Sequence, residues 1–403
     1  MATFEARRAG VEEGDPETRL HRLSLREFRN FVRLECSFPA QGVAIVGPNG
    51  SGKTNLLEAI YYLQIFRSFR GARDADLVRF GEDVFRIEGS VASAGERHEL
   101  AAAYERSGRR KKVERDGRAV DRLSDAIGGL GAVVFRLEDV EIVRGSPGER
   151  RRFLDILLSL VVPGYLADLQ RYRAVLGQRN EALREAAPRA LVEAWTDGLV
   201  EVGGKIMAAR AGWLAERAEA FGRYHAEIAG GGRAEIVYRP SVGEPEPGEP
   251  AGHGGVARTR QAAIERWRNT FRRALSASAE RERRRGVTVV GPHRDDVAFR
   301  AAVADEEARA LRSYGSSGQQ RTAALALRLV ETDTLADRLG REPIYLLDDV
   351  FAELDEERSG RLLTLLDEGR SGQVILTVPK PGEVGLRGGE LPRWGIRNGR
   401  ILR

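Results

Sequence analysis

The chain has 403 residues, 42% of them hydrophobic and 7% aromatic, with 65 Lys and Arg against 60 Asp and Glu. A net charge of +5 is too small to argue for a polyanionic partner by itself, so the placement of charge matters more than its sum. The one cysteine, Cys36, excludes an intramolecular disulfide and a cysteine-built metal site. No apolar run approaches the ~18 residues of a spanning helix, so a cytoplasmic protein with no membrane contact is expected.

Residues 1–19 are polar, lack periodicity and carry no apolar signal segment, and a disordered tail is expected there. Leu20, Leu23, Leu25 and Phe28 then suggest a strand entering a turn. Val43-Ala44-Ile45-Val46 is the short continuous apolar run of a buried strand, followed by a Gly-rich turn and a helix over Lys53–Ile65. Strand-like segments follow at Val84–Val91 and Glu99–Tyr104. From Glu149 to Arg285 the period changes. Leu166, Leu169, Tyr172, Leu176 and Leu183 recur at helical spacing, as do Trp195, Leu199, Val202 and Ile206. One strand, Ala234–Tyr238, and one Pro-, Gly- and Glu-rich loop, Ser241–Gly255, expected to be mobile, interrupt these helices. Alternating strand and helix return at Val287, with buried-strand runs at Ile344–Leu347 and Gln373–Leu376. The expected fold is α/β, a parallel sheet flanked by helices. Its domain is split into 20–148 and 286–403 around a mainly helical insertion at 149–285.

Gly47-Pro48-Asn49-Gly50-Ser51-Gly52-Lys53-Thr54 fits G-x-x-x-x-G-K-[ST] at every position. The glycines let backbone N–H groups approach phosphate oxygens, and the following helix adds its positive N-terminal end. Lys53 suits the β- and γ-phosphates, and the Thr54 hydroxyl suits Mg²⁺. The loop alone does not separate ATP from GTP, although no N-K-x-D guanine signal is present. Ile344-Tyr345-Leu346-Leu347-Asp348-Asp349 is an apolar strand ending in two carboxylates, and strand C-termini of an open parallel sheet face the ligand crevice. Asp348 suits Mg²⁺ held through water, and Asp349 suits orienting or deprotonating the attacking water.

Tyr314-Gly315-Ser316-Ser317-Gly318-Gln319-Gln320-Arg321 precedes a helix expected over Thr322–Leu339, and a Ser beside a Gly there makes another anion site. A P-loop, then S-x-G-Q at a helix start, then an Asp-tipped strand resembles the ABC ATPase arrangement. Ala352-Glu353-Leu354-Asp355 resembles its D-loop. That resemblance implies that Ser316, with Gly318 and Gln319, meets the ATP γ-phosphate held by a second subunit, in an ATP-dependent homodimer. Lys53 and Asp348 stand 295 residues apart, well beyond a compact transporter-type subunit.

Further segments resemble the RecF family. They are Leu25 to Phe31, Asn55 to Ile60, Arg67-Ser68-Phe69-Arg70, Glu149 to Asp155, Gln178-Arg179-Asn180 and Gly291-Pro292-His293-Arg294-Asp295-Asp296. Membership implies a cytoplasmic DNA-repair ATPase that helps RecA onto gapped DNA, working with RecO and RecR. The chain departs from the pattern in three ways. Its N-terminal tail is longer. Thr377 stands where transporters place a switch histidine, so a γ-phosphate sensor there would be hydroxyl-based. The Q-loop position is open between Gln64 and Asp139.

Two basic runs stand out. Arg106–Arg118 holds seven cations against two acids, Arg109, Arg110, Lys111 and Lys112 among them, and Arg281–Arg285 holds four against one, including Arg283 and Arg284. Phosphate contact is the functional reading, and the scarcity of interleaved aromatics favours duplex backbone over stacked single strands. His293 reads equally as an organiser of its turn, and no histidine has zinc spacing. A transport ATPase would need a compact chain and a switch histidine. A chromosome-organising protein of the SMC or Rad50 type would need hundreds of heptad-patterned residues. A nucleotide-controlled scaffold that hydrolysis merely resets shades into the repair reading.

Overall fold

The computed structural model describes residues 18–93, 96–246, 256–302, 307–367, 372–380 and 391–402. Nearly all of the expected tail and most of the expected mobile loop lie outside the described residues. The first strand starts slightly earlier than the expected Leu20, at Arg19, and Thr18 before it is buried. Among the described residues no helix is long and apolar enough to cross a membrane.

The chain divides into two compact units. One comprises the residues before Glu138 and those from Glu331 on, and the other is Glu138–Val330. The first unit holds two six-stranded sheets. In one, Ala132–Arg136, Ile344–Asp348, Val374–Val378, Gly42–Val46 and Arg393–Arg397 run parallel in that order, and Arg400–Leu402 closes the edge antiparallel. Ile344–Asp348 and Val374–Val378 are buried at all five positions, which is why both read as unbroken apolar runs rather than alternations. The other sheet is antiparallel. From one edge it runs Phe31–Ser37, Arg19–Phe28, Val84–Ser93, Glu96–Glu105, Arg110–Arg115 and Arg118–Ala119.

The helix Lys53–Ile65 is buried around most of its circumference, so it shows almost no amphipathic pattern. A Cβ on Gly89 would come within 2.5 Å of Leu63 Cδ1, so this glycine lets the antiparallel sheet approach the helix. Near the C-terminal end of the helix, Gln64 is fully buried. Its Nε2 donates to Ala132 O at 2.8 Å, and its Oε1 accepts from Ala132 N. The Gln64 amide is therefore engaged in tethering an edge strand of the parallel sheet. Asp139, the other residue open for the Q-loop, lies in the second unit, where Arg328 donates to it at 2.9 and 2.7 Å.

The second unit contains the helices Pro147–Val161, Tyr165–Arg184, the 41-residue Arg189–Ala229 and Val256–Arg285. It also contains its own antiparallel sheet, Arg309–Ala310, Asp296–Ala302 and Arg233–Arg239. Here the structure differs from the expected return to the ATPase core at residue 286. Asp296–Ala302 pairs with Arg233–Arg239, and this compact unit continues to Val330. Alternating polarity marks a half-buried strand but carries no information about which sheet it joins.

Segments that carry the family resemblance meet inside this unit. Arg150 donates to Asp296 at 2.6 and 3.1 Å and also reaches Gly145 O at 2.9 Å. Arg179 donates to Thr196, Thr288 and the fully buried Glu282 at 2.7–2.9 Å. Arg210, also buried, joins Asp155 at 2.8 Å to Pro292 O at 2.7 Å. His293 sits in the same web: the Tyr172 hydroxyl lies 2.7 Å from Nδ1, and Nε2 lies 3.2 Å from Thr288 O. Nε2–H therefore donates to the carbonyl, Nδ1 accepts from the phenol, and the ring is neutral. Burial holds its pKa down to about 4, so of its two readings the structure carries the turn-organising one.

A pH dependence follows. The folded pKa of about 4 lies below the ordinary 6.5, so in that interval only the unfolded chain takes up this proton. The contribution is complete above pH ~6.5 and is lost as pH falls towards 4, roughly 3 kcal/mol in all. Urea unfolding across this range should show a shallower pH slope for His293→Gln than for the parent, and equal slopes would refute the assignment.

Candidate nucleotide site

The strand Gly42–Val46 lies inside the parallel sheet, and the chain leaves its C-terminal end directly into the Gly-rich loop. A Cβ on Gly47 would come within 2.5 Å of Ile396 O, so only glycine fits where the loop departs. Gly50 (φ 78°) and Gly52 (φ 111°) adopt left-handed backbone that other residues resist. Ser51 O is held from behind by Asn30 Nδ2 and by Gly399 N, each at 3.2 Å.

Lys53 is buried, and its ammonium curls back into the loop, donating to Gly47 O at 2.9 Å and Pro48 O at 3.4 Å. It lies 4.0 Å from Asp349 Oδ2. Thr54 Oγ1 donates to Asp348 Oδ1 at 3.1 Å. The register sets Asp348 beside Thr377 and Thr377 beside Ile45, so the strand tips converge on the loop. Thr377 is fully buried. Its hydroxyl donates to Asp348 Oδ1 at 2.8 Å and accepts from Asp349 N at 3.2 Å. Asp349 turns out of the strand in left-handed backbone, φ 48°. The hydroxyl expected to sense a γ-phosphate is thus engaged by both strand-end acids.

The donor set fits a nucleotide with its metal. The Thr54 hydroxyl and the Asp348 carboxylate are the hard oxygen donors that Mg²⁺ takes. The Ser51 hydroxyl is buried with no hydrogen-bond partner among the described residues, and beside it Lys53 presents a cation inside a ring of backbone. Both suit phosphate oxygens.

Several residues quoted only for their family likeness prove to buttress this loop. Arg29 donates to both oxygens of the fully buried Glu58, at 2.9 and 3.0 Å, and Ser68 also donates to Glu58. Asn55 Nδ2 donates to Asn30 Oδ1 at 2.8 Å. Glu27 (φ 48°) and Arg29 (φ 54°) show that the turn carrying Asn30 is strained and held by these partners. No local pattern announces such long-range pairs.

In the second unit, Ser316 and Gln319 form a capping box. Ser316 N donates to Gln319 Oε1 at 2.9 Å, and Gln319 N donates to Ser316 Oγ at 3.2 Å. The helix Ser317–Leu339 therefore starts earlier than expected, with Ser316 exposed and Gly318 half-buried at its tip.

The basic runs divide by face. Arg109, Arg110 and Lys112 are exposed at and beside a hairpin turn, although Lys112 pairs with Glu114 at 2.6 Å. Lys111 points inward, and the expectation that it contacts DNA is corrected. Its ammonium binds Asp74 at 2.6 Å and Phe66 O at 2.7 Å, over the Tyr62 ring. On the helix Val256–Arg285, Arg281, Arg283, Arg284 and Arg285 are exposed, whereas Glu282 is turned inward. Within Arg281–Arg285 every exposed side chain is cationic, with the exposed Glu280 just before them.

A P-loop whose lysine and threonine face two acids at a parallel strand tip defines an ABC-type P-loop ATPase fold with a mainly helical inserted unit. The family model for the RecF/RecN/SMC N terminal domain matches residues 19–384. The DNA replication and repair protein RecF of Halalkalibacterium halodurans is 38% identical, over 85% of this chain and 88% of its own length. Structures of the recombination mediator protein RecF in the RecFOR pathway, solved with ATPrS and with ATP, superpose with TM-scores of 0.82 and 0.81 at 29% identity. They cover 97% and 96% of this chain and 99% of theirs. The Smc head of Pyrococcus furiosus, at 16% identity, TM-score 0.52 and 96% coverage of both chains, shares the fold. The chain belongs to the RecF family.

Thr377→Val keeps the shape of the side chain but leaves Asp349 N without its partner and Asp348 with one donor fewer. A loss of about 1–3 kcal/mol in urea unfolding is expected, with Thr377→Ser close to the parent. A valine variant as stable as the parent would show that this hydroxyl holds nothing.

Proposed function

We propose that this protein is an ATP-dependent DNA-binding ATPase of recombinational repair and replication-fork recovery. In this reading, ATP draws two copies into a dimer on duplex or gapped DNA, which helps load RecA with RecO and RecR, and hydrolysis resets the clamp. The setting is cytoplasmic. The convergence of Lys53, Thr54, Asp348 and Asp349 on one strand-tip cluster carries the reading. The names of the relatives, and the ATP held by the solved RecF, support it.

In this reading the loop from Gly47 to Gly52 wraps the phosphates, its backbone N–H groups donating at every position but Pro48, and Lys53 exchanges its carbonyl partners for β- and γ-oxygens. Thr54 and Asp348 hold Mg²⁺, which when bound neutralises charge on the phosphates. Asp349, beside Lys53, orients a water and takes its proton as the water oxygen bonds to the γ-phosphorus and ADP leaves. Ser316, with Gly318 and Gln319 at the helix start it caps, meets a second copy's γ-phosphate. The mainly helical middle unit serves as the arm. Arg109, Arg110, Lys112, Arg283 and Arg284 meet DNA phosphates.

The testing experiment is ATP turnover with and without gapped duplex. Asp349→Asn should bind ATP like the parent but turn over at least ~100-fold more slowly, since an amide cannot accept the proton. Lys53→Ala should lose binding itself. Undiminished turnover in both variants would remove the ATPase assignment.

DNA binding should fall steeply with salt, by about 0.9 log units of affinity per log unit of salt for each phosphate contacted. Arg109→Glu with Arg110→Glu should weaken binding to all duplex sequences alike, because phosphate contacts carry no base information. Fluorescence anisotropy with ATP, with ADP and with neither checks this, and equal affinity in all three states would remove the clamp.

A further inference from the structure

Two turns from distant parts of the chain meet the phosphate loop, and both act on a single carbonyl. Ser51 O accepts from Asn30 Nδ2 and from Gly399 N, each at 3.2 Å. The first donor sits on the turn between Arg19–Phe28 and Phe31–Ser37. The second sits on the turn between Arg393–Arg397 and Arg400–Leu402.

Sheet register brings the second turn there. Arg393–Arg397 runs parallel to Gly42–Val46 with Gly395 beside Val46, so the residues that follow continue alongside the loop. Trp394 and Ile396 are buried and anchor this hairpin. Asn398 (φ 50°) and Gly399 (φ 71°) make a two-residue turn in which both residues are left-handed, the kind that matches strand twist. A Cβ on Gly399 would come within 2.7 Å of Asn30 O, so no side chain fits there without moving the turn. The Asn30 amide in turn packs directly on Gly52, where a Cβ would lie 2.5 Å from Nδ2.

Ser51 O and Gly52 N–H belong to one planar trans peptide and point in opposite directions. Gly52, at φ 111°, places no Cβ in the way of rotating that plane. The glycine that lets the loop wrap a phosphate therefore also lets the amide turn out of it. Two donors on Ser51 O remove that freedom and leave Gly52 N–H directed away from Asn30 and Gly399. We propose, on the nucleotide reading given above, that Asn30 and the Asn398–Gly399 turn are positioning elements that aim the Gly52 amide at the phosphates. An amide set in advance needs no reordering when the ligand arrives. The coupling is reciprocal, so bound phosphates stabilise the turn in equal measure.

Calorimetry on the full chain, with ATP and with inorganic tripolyphosphate, each with Mg²⁺, tests this. Asn30→Ala removes one donor and should weaken both ligands alike by roughly tenfold, the range of one charge-assisted hydrogen bond. Gly399→Ala displaces the other donor from the opposite side and should do the same. Asn398→Gly keeps the turn and both donors, and should bind like the parent. In the parent, hydrogen exchange at Gly399 N–H should slow roughly tenfold further when tripolyphosphate binds, as reciprocity requires. Parental affinity in Asn30→Ala and Gly399→Ala would overturn the proposal, and so would unchanged exchange at Gly399. A loss confined to ATP would also overturn it, because Asn30 would then act on the nucleoside. A parent that bound neither ligand would remove the nucleotide reading itself, whereas the other outcomes leave that reading standing.

Discussion

The arrangement of the first unit depends on one carboxylate. Asp348 ends a wholly buried strand and would be costly to hold there as a lone charge. It is held because two hydroxyls from elsewhere in the chain converge on one of its oxygens, Thr54 from the phosphate loop and Thr377 from the adjoining strand. That convergence requires the parallel strands to end in register, with Asp348 beside Thr377 and Val378 beside Val46. A slip of one residue would turn alternate side chains to the other face and separate the groups. The all-apolar strands, the burial of the helix between sheets and the Gln64 tether all serve to fix this register.

Local features were legible in the sequence because their chemistry is contiguous. The phosphate loop is eight adjacent residues whose backbone needs glycine, and the acids follow an unbroken apolar run. The helix over Lys53–Ile65 was read with its observed bounds. What stayed illegible depends on partners distant in the chain. Arg29 reaches Glu58 across 29 residues, and Arg150 reaches Asp296 across 146. Thr377 is a further case: its place at a strand end is legible, but that its hydroxyl joins Asp348 to the Asp349 amide is not.

Two signals about face were present and unused. Lys111 precedes the buried Val113 by two residues in a strand, so period-two alternation puts both on the inner face. Glu282 continues a seam of Phe271, Leu275 and Ser278 at steps of four, three and four, so helical spacing turns it inward towards Arg179. Counting charge along a run treats the two residues alike as surface. Their faces give opposite results: one removes a cation from the surface, and the other removes an acid.

Buried arginines order the second unit, and two of them, Arg150 and Arg179, lie in segments that carry the family resemblance. Arg150, Arg179, Arg210 and Arg328 each meet a carboxylate inside the second unit. Burying such a pair is costly, and an apolar replacement of similar volume is often as stable. A planar guanidinium that holds several acceptors at once nevertheless accepts few alternative arrangements, which gives these pairs a directional role that aliphatic packing lacks. Arg179 joins helix Tyr165–Arg184 to the end of Val256–Arg285, and Arg210 joins Arg189–Ala229 to the turn at Pro292. The same pairing shapes the surface. Because Glu282 is drawn inward, the four arginines around it face solvent without an acid among them. A chain of net charge +5 thereby presents a helix end where four exposed arginines outnumber the exposed Glu280, and the ion pair that orders the interior adds to the positive charge of the exterior.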